Sequence, residues 1–225
     1  MTSAGAALVT APARGVVCDI DHTITTRSSV AETTRALGVP AQASTALYRR
    51  FRDASITPEE LRTATLELWR STGTATRSAF EAIFENIPVR PDAERLAQAV
   101  RERGLPLGLI SSSAQLYADT MVRRLAACCG YGNGKLLFNE DGDLDDIELD
   151  INTAALKAQQ LRQFAREHSL DVAQVLAIGN SLNDVPMLQA CGQGILLASN
   201  ATPHWSNGAY PIITQLDEAI PYIDH

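Results

Sequence analysis

The segment Gly15-Val16-Val17-Cys18-Asp19-Ile20-Asp21-His22-Thr23-Ile24-Thr25 constrains the fold of this chain more than any other. Val16 to Ile20 is a short apolar run of the kind that forms a buried strand. Two carboxylates, Asp19 and Asp21, stand at its C-terminal end, where an ionised group is costly to bury without a partner. Open parallel sheets bind ligands beyond the carboxyl ends of their strands, so this is a place where charge has a use. The Asp-x-Asp-x-Thr spacing aims the first carboxylate out of the strand end. The second reaches the same pocket once the chain leaves the strand. A turn rich in Asp and Thr after an ordinary strand is the plainer alternative. A calcium loop fits poorly, because the glycine and glutamate it needs at positions six and twelve are Ile24 and Val30 here.

Downstream of this strand the chain is helical. Ser28 to Leu37 closes at Gly38, and Ala41 to Arg52 carries Leu47, Tyr48 and Phe51 at helical spacing. Thr57-Pro58-Glu59-Glu60 is a capping box opening a helix to about Arg70, and a further helix spans roughly Thr76 to Glu85. From Pro88 the pattern alternates. Helices are expected over 92–103, 115–127 and 153–168 and from Pro186 to Cys191. Strands are expected over 105–110, 174–178, 194–198 and 210–214, with a hairpin of 135–138 and 144–149 turned by Asp141-Gly142. That rhythm predicts an α/β fold, a Rossmann-like, mostly parallel sheet with helices on both faces. An all-helical block, 28–87, is inserted after the first strand. The core is then 15–27 and 88–225, and 1–14 reads as a short mobile tail without the basic start and apolar run of a signal peptide.

The strand ends can now be compared. The first carries Asp19 and Asp21, the second Ser111, and a later one Asn180, Asn183 and Asp184; Lys157 lies on the helix one crossover before that last strand. Each group alone has a bland explanation as a turn, a cap or a solvated lysine. Set at successive ends of a parallel sheet, they converge on one edge. The net charge of −7 argues against a nucleic-acid partner. No apolar run approaches the ~18 residues of a membrane span. The four cysteines, Cys18, Cys128, Cys129 and Cys191, show no Cys-x-x-Cys spacing and no nearby histidine, and read as buried free thiols in a reducing cytoplasm.

Asp19-Ile20-Asp21-His22-Thr23, Leu109-Ile110-Ser111-Ser112, Lys157 and Gly179-Asn180-Ser181-Leu182-Asn183-Asp184 resemble, in order, the four motifs of the haloacid dehalogenase superfamily. The helical insert looks like the cap of its phosphoserine-phosphatase-like branch. Ser112 and Lys157 are only about 45 positions apart, too few for the large alternative cap. The resemblance implies a magnesium-dependent phosphatase of a small phosphorylated metabolite, with Asp19 as nucleophile, Asp21 as general acid and base, and Thr23 orienting Asp21. It implies that Ser111, Ser112, Lys157 and Asn183 hold the phosphate, and that Asp19, Asp21 through its carbonyl, Asn180 and Asp184 hold Mg2+. Two positions depart from the pattern. His22 stands where glycine or serine is common, and Asn180 where an aspartate ligand is usual. Transfer to another alcohol, or phospho-ligand binding without catalysis, are the rival readings.

The cap decides the substrate. Arg49, Arg50, Arg52, Trp69 and Arg70 offer a cationic and aromatic face. Glu32 is the residue to compare with the glutamate that reads the amino group in phosphoserine phosphatases. It lies farther from Asp19 than that role expects, so the reading stops short of phosphoserine.

Overall fold

The computed structural model describes residues 12–150, 152–198 and 208–224. Seven strands form one sheet in the order β4-β3-β2-β1-β5-β6-β7. They are β1 (Gly15–Asp19), β2 (Leu107–Ala114), β3 (Cys129–Phe138), β4 (Leu144–Leu149), β5 (Val175–Gly179), β6 (Gln193–Leu197) and β7 (Ile212–Ile213). All neighbours are parallel except β3 and β4, which form the expected hairpin. This is the doubly covered α/β architecture that the alternating pattern predicts. Strand β1 sits between β2 and β5, with Asp19 level with Ile110 and Cys18 level with Ile178. That register brings the ends of β1, β2 and β5 to one edge, where ligands of such sheets bind.

Alternation along β1 sorts its residues onto two cores. Val16 and Cys18 join one apolar cluster with Leu109, Leu176 and Ile178, covered by α5 (Pro91–Glu102) and α6 (Gln115–Leu125). Val17 joins the other with Ile110 and Ala177, covered by Leu161 and Phe164 of α7 (Thr153–Glu167) and Met187 and Leu188 of α8 (Val185–Ala190). Being buried on both faces explains why β1 is uniformly apolar up to Asp19.

Between β1 and α5 run four helices, α1 (Ser29–Ala36), α2 (Ala41–Arg52), α3 (Pro58–Arg70) and α4 (Arg77–Asn86). The capping box at α3 is formed in both directions, Glu60 N–H to Thr57 Oγ1 at 3.2 Å and Thr57 N–H to Glu60 Oε2 at 2.7 Å. Their apolar sides do not close on themselves. Trp69 meets Phe80 edge-on at 5.6 Å, Phe80 reaches Phe138 of β3 at 5.8 Å, and Phe84 reaches Tyr117 of α6 at 5.2 Å.

Besides shifted ends in β2 and β7 and an unforeseen helix over Leu216–Tyr222, the structure departs from the sequence reading in three places. Strand β3 begins at Cys129, six residues before the expected hairpin arm, through a run that carries Gly130, Gly132 and Gly134. Glycine ordinarily weakens a strand. Here α6 lies so close that a Cβ on Gly132 would sit 2.5 Å from the Gln115 backbone, so only glycine lets the strand pass. Ala13 and Arg14, assigned to the mobile tail, are tied down: Ala13 is buried, its N–H donates to Tyr222 O, and that of Arg14 donates to Gln174 O. The rest of that tail, residues 1–11, lies outside the described residues. The cysteines are unpaired, yet only Cys18 is buried, Cys128 is exposed, and Cys128 Sγ lies 3.3 Å from His168 Nε2. The nearby histidine is forty residues away in sequence, which spacing cannot show. Among the described residues no helix is long and apolar enough to cross a membrane.

Candidate active site

Strand β1 ends at Asp19 and the chain enters an irregular helical turn, Ile20–Ile24. Asp21 keeps extended geometry inside it, and His22 is left-handed at φ 62°. The turn folds back enough for Thr23 Oγ1 to donate to Asp19 Oδ2 at 2.9 Å. Left-handed backbone suits glycine best and, among residues with a side chain, Asn, Asp and His more than most, so His22 fits this turn.

Asp19 is buried, and so is Lys157, which projects from the first turns of α7. The Lys157 ammonium bridges two carboxylates, Asp19 Oδ1 and, at 2.6 Å, Asp184 Oδ1. Asp184 Oδ2 in turn accepts from Asn180 N–H at 3.0 Å, Ser181 N–H at 2.9 Å and Ser181 Oγ at 2.9 Å. The close approach of Asp184 to the end of β5 requires Gly179, since a Cβ there would lie 2.5 Å from the Asp184 Cβ. Burial pushes the Asp19 carboxyl up to about 7, with Lys157 pulling against it and Asp184 adding to the rise. For Lys157, burial works to lower the pKa, but the Asp19 and Asp184 carboxylates outweigh it and hold the ammonium above its ordinary range.

Asp21 is held separately. Ser29, the first residue of α1, donates its N–H to Asp21 Oδ1 at 3.0 Å and its hydroxyl to Oδ2 at 2.7 Å. Burial raises the Asp21 pKa, and the two Ser29 donors restrain the rise. Thr23, expected to orient Asp21, binds Asp19 instead; Ser29 holds Asp21. The sequence offered no signal for this, because an eight-residue separation across an irregular turn has no fixed geometry.

In β2, one residue past the level of Asp19, the buried Ser111 accepts from Ser113 N–H at 3.0 Å. Ser112 Oγ accepts from Asn183 Nδ2 at 2.6 Å, and Asn183 Oδ1 accepts from Thr153 Oγ1 at 2.7 Å. Hydrogen bonds therefore gather the expected residues into separate groups: Asp19, Thr23, Lys157, Asn180 and Asp184; Ser112 and Asn183; Asp21, held by Ser29; and Ser111, bonded to Ser113. Thr153, Ser181 and Ser29 are members that motif reading missed.

A cleft of about 270 Å³ opens beside them, walled by Asp21, Ser28, Val30, Tyr48, Arg52 and Ser112. Deeper between the helical block and the sheet is a narrow apolar cavity of about 30 Å³, lined by Val30, Tyr48, Trp69, Phe84, Leu136 and Leu149. Among the described residues lining the cleft, Asp21 is the one carboxylate. Glu32 faces away and pairs with Arg27 and Arg35. Of the cap residues that the sequence singled out, Arg52 reaches the cleft. Trp69 is buried with its Nε1–H donated to Thr34, while Arg49, Arg50 and Arg70 are exposed.

The chemistry of the donor set suits magnesium. Asp19 and Asp184 set carboxyl oxygens on either side of one ammonium in a buried space, so acidic groups outnumber basic ones there. Hard oxygen donors with excess negative charge are what that ion requires.

Comparison with known proteins agrees with this geometry. Residues 16–189 match the family model described as haloacid dehalogenase-like hydrolase. The chain belongs to that family. Among curated relatives, a phosphoserine phosphatase of Idiomarina loihiensis is 34% identical over 127 residues, 56% of this chain and 56% of that protein. The chain spans about half the length of the first curated relatives it matches. Among solved structures, a phospho-aspartyl intermediate analogue of phosphoserine phosphatase superposes at TM-score 0.74 with 17% identity, covering 95% of this chain and all of that one. A haloacid dehalogenase family hydrolase from Salmonella enterica superposes at 0.78 with 20% identity, covering 95% and 72%. At those identities the structural likeness concerns the family fold alone.

Proposed function

We propose that this chain is a phosphatase that hydrolyses a phosphomonoester of a small metabolite by way of Asp19. The observation that carries the reading is the buried Asp19–Lys157–Asp184 bridge at the carboxyl edge of the sheet, with Asp21 one turn on. A carboxylate so placed has no structural need met by its charge, since a buried ion pair is weak support for stability.

In the first step Asp19 attacks phosphorus, and the bond to the leaving oxygen breaks. Asp21, whose carboxyl burial shifts toward the acid form, gives a proton to that oxygen. In the second step Asp21, now ionised, takes a proton from water as the water oxygen attacks the aspartyl-phosphate. Inorganic phosphate leaves and Asp19 is regenerated. Ser111, Ser112 and Lys157 hold the phosphoryl oxygens, and Asn183 fixes the Ser112 hydroxyl. Asp19, the Asp21 carbonyl, Asn180 and Asp184 are the residues that would hold magnesium, which when bound neutralises charge on the phosphoryl group. Helices α1 and α2, which wall the cleft, act as a cap, and 28–87 is the capping unit.

The cleft is lined mostly by hydroxyl groups, with Arg52 as its cation, and suits a polar leaving group that carries no ammonium. An ammonium in this cleft would lack a carboxylate other than Asp21, and burying it unpaired is costly. The curated relatives carry the name phosphoserine phosphatase; this cleft supports a different leaving group. The unpaired cysteines support a reducing, cytoplasmic setting. The test is hydrolysis by the purified chain of aryl phosphates, alkyl phosphates and phosphoserine, with and without magnesium. We expect magnesium-dependent turnover, with kcat/KM for an aryl phosphate about tenfold or more above phosphoserine, the scale of one unpaired buried charge or a few methylenes. No turnover of any of them removes the enzymatic reading. A preference for phosphoserine removes only the leaving-group assignment.

A further inference from the structure

At the edge of the sheet opposite the Asp19 cluster, three groups of another chemistry meet. Cys128 lies in the connection from α6, Cys129 opens β3, and His168 follows the last residue of α7. Cys128 Sγ is 3.3 Å and Cys129 Sγ 4.0 Å from His168 Nε2, and the two sulfurs are 3.6 Å apart. A tetrahedral zinc with ordinary Zn–S and Zn–N bonds requires about 3.8 Å between two sulfurs and about 3.6 Å between sulfur and nitrogen. Every side of the observed triangle is within about 0.5 Å of that requirement.

The backbone explains how adjacent cysteines present both sulfurs to one point. Neighbouring side chains within a strand take opposite faces. Cys128 is outside β3: α6 ends in a left-handed residue, Ala126 at φ 52°, and the Cys128 N–H donates to Leu107 O at 2.9 Å before the strand begins. His168 is held from below by the fully buried Phe164, ring centroids 4.8 Å apart and tilted 50°. Cys128 is exposed and the other two are half-buried, so an ion has an entry path and a fourth coordination position faces solvent.

We propose that Cys128, Cys129 and His168 bind a thiophilic divalent cation, zinc, with water as fourth ligand, clipping the start of β3 to the end of α7. Both thiols release their protons to solvent on ligation, and Cys128 gives up the S–H donated to Leu107 O at 3.0 Å. Two thiolates then balance the charge of the ion. Sulfur and imidazole donors select against magnesium, so this site and the all-oxygen cluster around Asp19 take different ions. The clip closes a loop of about forty residues and lowers the entropy of the unfolded chain. The inference stands independently of the proposed phosphatase activity.

The experiment uses the full chain, reduced and in excess magnesium. Zinc is titrated against a chromophoric chelator, and cobalt(II) is added in a parallel series. One zinc per chain is expected, with a thiolate-to-cobalt charge-transfer band, tetrahedral cobalt absorption, and a rise in Tm of a few degrees on adding zinc. The double variant Cys128→Ser/Cys129→Ser, and separately His168→Gln, should bind at least about 100-fold more weakly while keeping the native Tm in chelator. If either variant is unstable in chelator, the cobalt spectrum of the native chain decides, since only thiolate ligation gives the charge-transfer band. The proposal is overturned if the native chain holds no zinc, if cobalt gives no thiolate band, or if zinc is lost in Asp184→Asn and retained in the double variant.

Discussion

Asp19 divides its carboxylate between the Thr23 hydroxyl and the Lys157 ammonium, and Asp184 draws on the same ammonium. Charge in this cluster is therefore scarce on the positive side, and each carboxylate added or removed changes how well a cation is held. Asn180 contributes its backbone N–H to Asp184 Oδ2 and, in the proposed site, an uncharged oxygen to magnesium. Replacing it by aspartate adds a full charge next to a divalent ion. Asn180→Asp should lower the magnesium concentration for half-maximal rate by about tenfold, with the fold unchanged; a titration of initial rate against magnesium measures it, and an equal or weaker dependence removes Asn180 from the ligand set. His22 shows how a residue-scale departure from a motif becomes legible once the backbone is known: it stands at a left-handed φ, which histidine adopts more readily than most residues with a side chain.

At the scale of elements, the N-terminus of α1 and the turn after β1 form one device, because Ser29 grips both oxygens of Asp21. Those donors stabilise the ionised carboxyl. Ser29→Ala removes one, so the Asp21 pKa rises further above its ordinary value. A higher pKa keeps the acid form to higher pH and delays formation of the base form. Both limbs of the pH–rate profile should therefore move upward, with kcat down about tenfold. An unchanged profile would show that Ser29 only caps the helix. The sequence made β1, β2 and β5 readable because each is an apolar run ending in a polar cluster, and it made the α3 cap readable because Thr57 and Glu60 act locally. The first half of β3 was hidden by glycines whose purpose is the close passage of α6. Ser29 on Asp21 and His168 beside Cys128 were hidden because both are products of tertiary approach.

Across the whole molecule, the helical block and the sheet share one apolar cluster, to which Trp69, Phe80 and Phe84 belong along with Tyr117, Leu144 and Ile147. A cap hinged freely on the core would keep those aromatics to itself. Phe84 is buried against Tyr117 at 5.2 Å, and Phe84→Ala should cost about 3–5 kcal/mol. The loss should appear as one cooperative urea transition, coincident by far-UV circular dichroism and by Trp69 fluorescence in a Trp205→Phe background. A separate early transition of the fluorescence would show the block unfolding on its own. The aromatic chain from Trp69 to Tyr117 anchors α3 and α4, and the Trp69 bond to Thr34 ties α1 to the same group.

The central claim is that the carboxylate of Asp19 carries the phosphoryl group. The direct measurement is acid quenching of the chain during turnover of an aryl phosphate, followed by reduction with tritiated borohydride, which converts an aspartyl-phosphate to tritiated homoserine with release of phosphate, and peptide mapping. Label on Asp19 alone, absent in Asp19→Asn together with all turnover, is the predicted result. Label on another residue, or an Asp19→Asn variant that turns over at near-native rate, contradicts it.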